Sequence, residues 1–572
     1  MLPWLFFACS DSPDATSEPA PALAPIVVPQ MVITAPDRGA FTGSGDSIEV
    51  AGKVTQGSAP FTKLTVNGQN IDISAKGGDF DGKIPVIPGI NLIGTRVDAS
   101  DGGRAVDGRA VMAGDTWDPA EPLGSTVKMQ LGPDALDDDR PDVDDLAAVA
   151  EAVMADPTLL RSFVGYEVPT EYYTITLSDA EMGISNVDIE SGNGEMLVEV
   201  EVEDLWVAFD IAGVDWYDWL ATTGEAGATT ATLSLVLELE ADDGEVTATP
   251  VSTSVRLSGF WLTVDWFPDS MEDDLADWTQ ATLEETVADA VTEQIEALVG
   301  EYLSAFAADF SFSGFDMHLA LASLRCAEDG LRLTLDAWVD FTTKIDMPRG
   351  AGSLRTDGDG PAFPLTTTEP FAAAADDDLI HQLLFAFWAG GSTSGIEFDG
   401  LTLQALAGEI PPPLGPVELA RIDVNLPVTI GKPTYDDMDL DLSIGEMRLK
   451  ITREDGQKID ASVNLRTGAT VGIDDDGEVG IELDPRPAYM TIEVGMEDTP
   501  KGLDPGDMAA LVRLSVPPLL GTIASFMPDI PVPDIPLDSF SDSLRGQSLG
   551  IADPAVRVDD GWLVIEGALE ER

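Results

Sequence analysis

Ser270-Met-Glu-Asp-Asp-Leu275-Ala-Asp-Trp-Thr-Gln-Ala-Thr-Leu283-Glu-Glu-Thr-Val287-Ala-Asp-Ala-Val291-Thr-Glu-Gln-Ile295-Glu-Ala-Leu298-Val-Gly-Glu-Tyr302-Leu-Ser-Ala-Phe306 is the stretch on which the fold turns. Leu275, Leu283, Val287, Val291, Ile295, Leu298, Tyr302 and Phe306 recur at steps of three or four residues or their multiples. That spacing predicts one amphipathic helix from about Asp269 to Phe310, with Ser270 as N-cap and Asp273 three residues on. Glu284, Glu285, Asp289, Glu293 and Glu296 take the opposite side. About 36 residues at ~1.5 Å each make roughly 54 Å of helix, far longer than an ordinary globular one. A helix of that length with a partial apolar face needs a long curved sheet to lie in.

The flanking sequence reads as strand after strand. Met196 to Glu203 alternates Val198, Val200 and Val202 with glutamates. Leu233, Leu235, Leu237 and Leu239 repeat the pattern, and so does Val255 to Phe260. One wet face and one dry face predict a meandering antiparallel sheet. After the long helix, Met317 to Leu324 and Leu331 to Asp336 form a strand pair that turns at Glu328-Asp-Gly330. Pro348 to Pro370 has linker composition. Then the order recurs. A short helix spans Asp376 to Gly391. Strands run from Ile422 to Val494, and a helical segment from about Pro505 to Phe526 is interrupted by Pro517-Pro518. Closing strands follow at Leu549 to Ile551 and Trp562 to Ile565.

Upstream, Gln30 to Thr116 reads as all-β. Leu64-Thr-Val-Asn67-Gly68-Gln-Asn-Ile71 predicts a hairpin, since Asn-Gly accepts the positive φ of a type I′ turn. Pro88-Gly89-Ile-Asn91-Leu-Ile and Val97 to Gly103 resemble the closing strands of bacterial immunoglobulin-like modules, whose usual role is that of a spacer. The start, Met-Leu-Pro-Trp-Leu-Phe-Phe-Ala-Cys9, resembles the tail of a bacterial lipoprotein signal with Cys9 as the acylated residue. It lacks a basic n-region, and its apolar run is short. Ser10 to Pro29 has the Ser, Pro and Ala composition of a flexible tether.

Charge excludes some functions. The 572 residues carry 103 acidic and 30 basic side chains, a net −73. Such a surface repels nucleic acid and anionic membranes, so no nucleic-acid partner is expected. With 44% apolar residues the chain can still build cores. No run of ~18 apolar residues predicts a spanning helix. The acidic run Asp137 to Asp145 lacks the glycine and ligand spacing of an EF-hand, and is expected to end as a helix N-cap before Leu146, Val149 and Val153. The two histidines, His318 and His381, lie far apart, and His381 is expected at the surface or in a cap. Cys326 is expected to be an inert thiol. With no nucleophile elbow, phosphate loop or dinucleotide fingerprint, no enzyme activity, catalytic residue, metal or cofactor is expected.

Two local signatures resemble the bactericidal/permeability-increasing-type proteins of the tubular lipid-binding (TULIP) superfamily. One is Asp378-Leu-Ile-His-Gln-Leu-Leu-Phe-Ala-Phe-Trp-Ala-Gly-Gly391. The other is Pro531 to Phe540, followed by Leu549-Gly-Ile and Val558-Asp-Asp-Gly-Trp562-Leu-Val-Ile. Cys326-Ala-Glu-Asp-Gly-Leu-Arg-Leu after the long helix also fits. The resemblance covers about Leu131 to Leu569. It implies an α+β fold of two antiparallel-sheet barrels, each wrapped around a long helix in a boomerang, preceded by a β-sandwich module. Domain bounds follow: 1–9 signal remnant, 10–29 tether, 30–116 sandwich, 117–345 first half, 346–370 linker, 371–572 second half. The family's disulfide has no counterpart here, and its basic tips are replaced by acidic ones.

The resemblance further implies apolar slots that hold acyl chains of phospholipid or another lipid. Leu283, Val287, Val291, Ile295 and Leu298 would line the first slot, and Leu379, Leu383, Leu384 and Phe387 the second. The expected function is lipid binding or transfer at the bacterial cell envelope, with the membrane reached through the anchor at Cys9. The alternative is a surface adhesion or scaffold protein whose pocket is closed, because the same side chains can simply fill each other's space.

Overall fold

A computed structural model describes residues 29–572, apart from 120, 141, 156–163, 170–171, 215–220, 243, 267–268, 357–362, 364, 366, 368, 403–415, 475–476, 495–507, 511, 514–515, 517–519, 521–523, 525–526, 528–529, 533 and 560. The signal and lipidation site at Cys9 and nearly all of the tether fall outside the described residues, as does most of the helical segment expected over 505–526. Two compact units divide the chain. Of the described residues, the smaller takes 29–36, 49–84 and 94–107, and the larger takes 37–48, 85–93 and those from 108 on.

In the smaller unit Phe61–Val66 turns into Gln69–Ile71 with Leu64 opposite Ile71 and Val66 opposite Gln69. Asn67 and Gly68 both have positive φ, 47° and 80°, which is the turn that Asn-Gly predicts. The Asn67 carboxamide oxygen also accepts from Gly94 N at 2.7 Å.

The larger unit holds three substantial sheets. In the first, Glu167–Pro169, Tyr173–Ser191, Met196–Gly213, Ala221–Asp242 and Glu245–Ser258 lie side by side, with Trp261–Val264 added to Ala221–Asp242. The predicted alternation is what buries them: Val198, Val200, Val202, Leu233, Leu235 and Leu237 are all fully buried. The central sheet runs Phe310–Phe312, Phe315–Ala327, Gly330–Asp340, Leu123–Leu131, Phe371–Asp376, Trp562–Glu571, Ser548–Asp559, Ile535–Pro536. The third sheet is built on Leu440–Arg453 and Lys458–Ile473.

The structure corrects the expected fold class. Strand makes up 57% of the described residues and helix 15%, so the fold is mostly β, not α+β. The sheets are open half-barrels whose strand order does not close on itself, and no sheet is wrapped around a long helix. The reason lies in strand length. Runs of 19, 18 and 22 residues put far more of this part of the chain into strand than into helix, and their inward faces share one core with the long helix.

The helix itself spans Asp269–Ala305. It starts one residue before Ser270, which is therefore not its N-cap, and Phe310 begins a strand. It lies along Glu245–Ser258. Leu275, Thr279, Leu283, Val287, Val291 and Ile295 are its buried positions over five turns. A strict four-residue step advances about 40° beyond a full turn, so the stripe winds roughly 200° around the helix. Only a twisted strand can follow such a stripe. From Leu298 on, burial broadens to Leu298, Val299, Tyr302 and Leu303. This end is clamped. Ser304 Oγ accepts from Val246 N at 3.0 Å, and a Cβ at Gly300 would sit 2.9 Å from the Val246 carbonyl oxygen.

Tyr302 is fully buried, and its hydroxyl has no hydrogen-bond partner. An orphaned buried hydroxyl destabilises, so Tyr302→Phe is expected to raise stability by about 1 kcal/mol in urea unfolding. A loss of stability would show that the hydroxyl is satisfied.

The Asp377–Ala389 helix is buried on every side from Asp378 to Ala389. Leu379, Leu383, Ala386 and Phe387 join the core that holds the long helix. Ile380 and Leu384 join the core of the third sheet, together with Met508, Val512, Val516 and Leu520. Phe385, Trp388 and Ala389 form a third cluster.

Candidate functional site: a seam between helix and sheet

Leu283, Val287 and Val291 meet Leu177, Ala180, Met182, Leu205 and Val207 across an apolar crevice of about 20 Å³, room for about one water. Thr286 and Ala290 complete the helix side. The sheet side shows why packing is loose here. Tyr173–Ser191 shifts register between Leu177 and Asp179, again between Glu181 and Gly183, and again between Ile184 and Asn186. Each bulge bends the strand and re-aims the side chains beside it. Leu177, Met182, Phe260, Leu262, Val264 and Trp278 are only partly buried against this core, so the seam carries half-exposed apolar groups.

The expected lining residues separate into groups. Leu283, Val287 and Val291 border the crevice, while Ile295 and Leu298 lie in the same core but do not border it. Leu379, Leu383 and Phe387 share that core, and Leu384 belongs to another. None of these four borders the crevice. Sequence reasoning misses the sheet-side partners. Alternation over Leu205, Val207 and Phe209 marks an inward face, but bulges in the neighbouring strand leave no pattern to read.

The remaining chemistry-bearing residues have structural settings. His318 Nδ1 lies 2.9 Å from Asp309 and its Nε2 3.4 Å from Asp340, with the ring stacked on Trp338. The Asp309 hydrogen bond raises its pKa. Cys326 is buried, and burial pushes its thiol up to about 11. His381, expected at the surface, is instead 2% exposed, because its helix is apolar on all sides. Asp145 caps Leu146–Met154 as expected, its carboxylate accepting from Ala148 N at 2.7 Å.

A larger hollow of about 600 Å³ has charged walls. There Arg38 pairs with Glu446 at 3.2 Å and with Glu493, and Arg448 pairs with Asp460 at 3.1 Å. Those walls suit polar groups, not hydrocarbon. No helix among the described residues is long and apolar enough to cross a membrane.

No family model and no curated protein sequence matches this chain. Among solved structures it is similar to a lipopolysaccharide binding protein, at 11% identity and a TM-score of 0.40, over 78% of this chain and 99% of that one. It is also similar to P47 of Clostridium botulinum E1, at 10% identity and a TM-score of 0.25, over 78% of this chain and 100% of that one. A shorter match covers 30% of this chain and 85% of the fibronectin(III)-like modules of Clostridium thermocellum CbhA, at 16% identity and a TM-score of 0.13.

Proposed function

We propose that this protein binds the acyl chain of a lipid along the seam between the long helix and the first sheet, and that Cys9 tethers it to the bacterial cell envelope. The observation that carries the reading is the crevice at Leu283, Val287 and Val291. Its walls are apolar from both sides, and among the described residues the helix above it is held most tightly toward its C-terminal end. The Leu275–Ile295 portion keeps one buried side chain per turn, while the Leu298–Leu303 portion is held by four and by the Val246–Ser304 hydrogen bond. Parting the seam at the lightly held portion admits a chain whose burial gains ~0.8 kcal/mol per methylene. Lipid transfer is the finer form of the same reading.

The small volume of the crevice favours a second reading, a scaffold with a closed pocket. Titration of the full chain with a fluorescent fatty acid, together with native mass spectrometry, separates the two. Saturable uptake by the wild type is expected, and about tenfold weaker uptake by Ala290→Leu, which fills the crevice. A folded wild type that takes up no acyl chain would leave the scaffold reading standing.

A further inference from the structure

We infer that Asp377, Asp378 and His381 form a binding site for a single divalent transition-metal cation, of the zinc class, at the start of the Asp377–Ala389 helix. One ligand atom from each residue lies within 4.8 Å of the other two. A tetrahedral cation with an imidazole nitrogen and two carboxylate oxygens at ~2.0–2.2 Å holds them roughly 3.4 Å apart, so the side chains draw in by up to about 1.4 Å to bind it.

The histidine supplies the independent observation. His381 is 2% exposed, and its Nδ1 is buried with no hydrogen-bond partner. Its Nε2 faces the backbone of Ile430, 3.3 Å from the carbonyl oxygen and 3.2 Å from the nitrogen. A proton on Nε2 donated to that carbonyl leaves the Nδ1 lone pair free. A backbone carbonyl that fixes the tautomer of a ligating histidine is the usual outer support of a metal site.

The carboxylates are held as ligands are held. Asp378 accepts from Trp117 Nε1 at 2.8 Å, from Thr356 N at 2.6 Å and from Thr356 Oγ1 at 2.7 Å. Asp377 lies within reach of the same Thr356 hydroxyl, whose single proton serves one of the two carboxylates at a time. Asp376, the helix N-cap, accepts from Asp378 N at 2.9 Å. Three carboxyl groups thus crowd one helix start. Arg355 is close by but stacks on the Trp117 ring, 4.4 Å from its centroid. Crowded carboxylates repel one another, and a divalent cation answers that charge directly. Imidazole with carboxylate selects the zinc class over calcium, which takes six or more oxygens.

The test uses the full chain, stripped with a chelator and titrated with Zn²⁺ in excess Mg²⁺ and high salt, so that the acidic surface is saturated. Co²⁺ serves as a spectroscopic stand-in. One equivalent of Zn²⁺ is expected to bind saturably and to raise the melting temperature, and Co²⁺ is expected to develop visible ligand-field bands. His381→Gln should abolish both, and Trp117→Phe should weaken affinity by about tenfold, the effect of losing an outer support. If His381→Gln does not fold, Asp377→Asn at the half-buried ligand is read instead and should lose the bands. Uptake that is unsaturable, that excess Mg²⁺ removes, or that persists at one equivalent in a folded ligand variant would overturn the site.

Discussion

Trp388→Ala is expected to cost about 4 kcal/mol of stability, near the top of what one buried side chain can contribute. Trp388 is 2% exposed, and its ring centroid lies 5.5 Å from Phe385 and 6.4 Å from Phe41. Truncating a buried tryptophan removes its transfer energy and leaves a cavity, together worth about 3–5 kcal/mol. Its indole N–H donates to the Val424 carbonyl at 3.0 Å, so truncation also orphans a strand carbonyl of the third sheet. Trp388→Phe should recover most of the packing but not the hydrogen bond, and should fall between the two. Urea unfolding of the three proteins checks this. A loss below about 1 kcal/mol for alanine would mean that the cluster relaxes into the gap.

Asp145→Asn is expected to change how stability depends on pH. Asp145 is 1% exposed, and burial raises its pKa to about 7. A carboxyl that binds its proton more tightly when folded than when unfolded favours the folded state at low pH. That contribution is complete below the unfolded pKa near 4 and drains away as pH rises to about 7. Three pKa units correspond to about 4 kcal/mol. Asparagine does not titrate and still caps a helix, through one oxygen toward Ala148 N. Its amide cannot also accept from Asp138 N, which Asp145 does at 2.8 Å, so a fixed penalty applies at all pH values. The variant should therefore start slightly below the wild type at pH 4. It should gain on it by up to about 4 kcal/mol by pH 8. Parallel stability curves across this range would show that Asp145 stays ionised.

Much of this fold is legible along the chain, because its strands carry their burial in their alternation. Val198, Val200 and Val202 point inward for the reason that Glu199, Glu201 and Glu203 point outward. Asn67-Gly68 names its own turn, and Asp145 its own cap. Sheet membership is not legible, since alternation says which face is dry but not which strand lies alongside. The recurrence of helix, meander and helix suggests two separate barrels, whereas the central sheet interleaves strands from both ends of the large unit. The position of His381 is open to a better reading. Leu379, Ile380, Leu383, Leu384, Phe385 and Phe387 surround it, and a helix that is apolar all round is a buried helix. The crevice partners Leu177 and Met182 depend on bulges, which come from strand geometry and leave no periodic trace.

The central sheet also sets a timetable. Phe371–Asp376 pairs on one side with Leu123–Leu131 and on the other with Trp562–Glu571. At about 5–20 residues per second, the roughly 190 residues between the second and third of these take on the order of 10–40 s to synthesise. For that interval the ribosome-bound chain presents the free edge of an alanine-rich strand, a template for pairing with a neighbouring chain. Completion of the central sheet is thus a late event in the life of the nascent protein, and chaperone cover during translation should matter more for its yield than for its final stability.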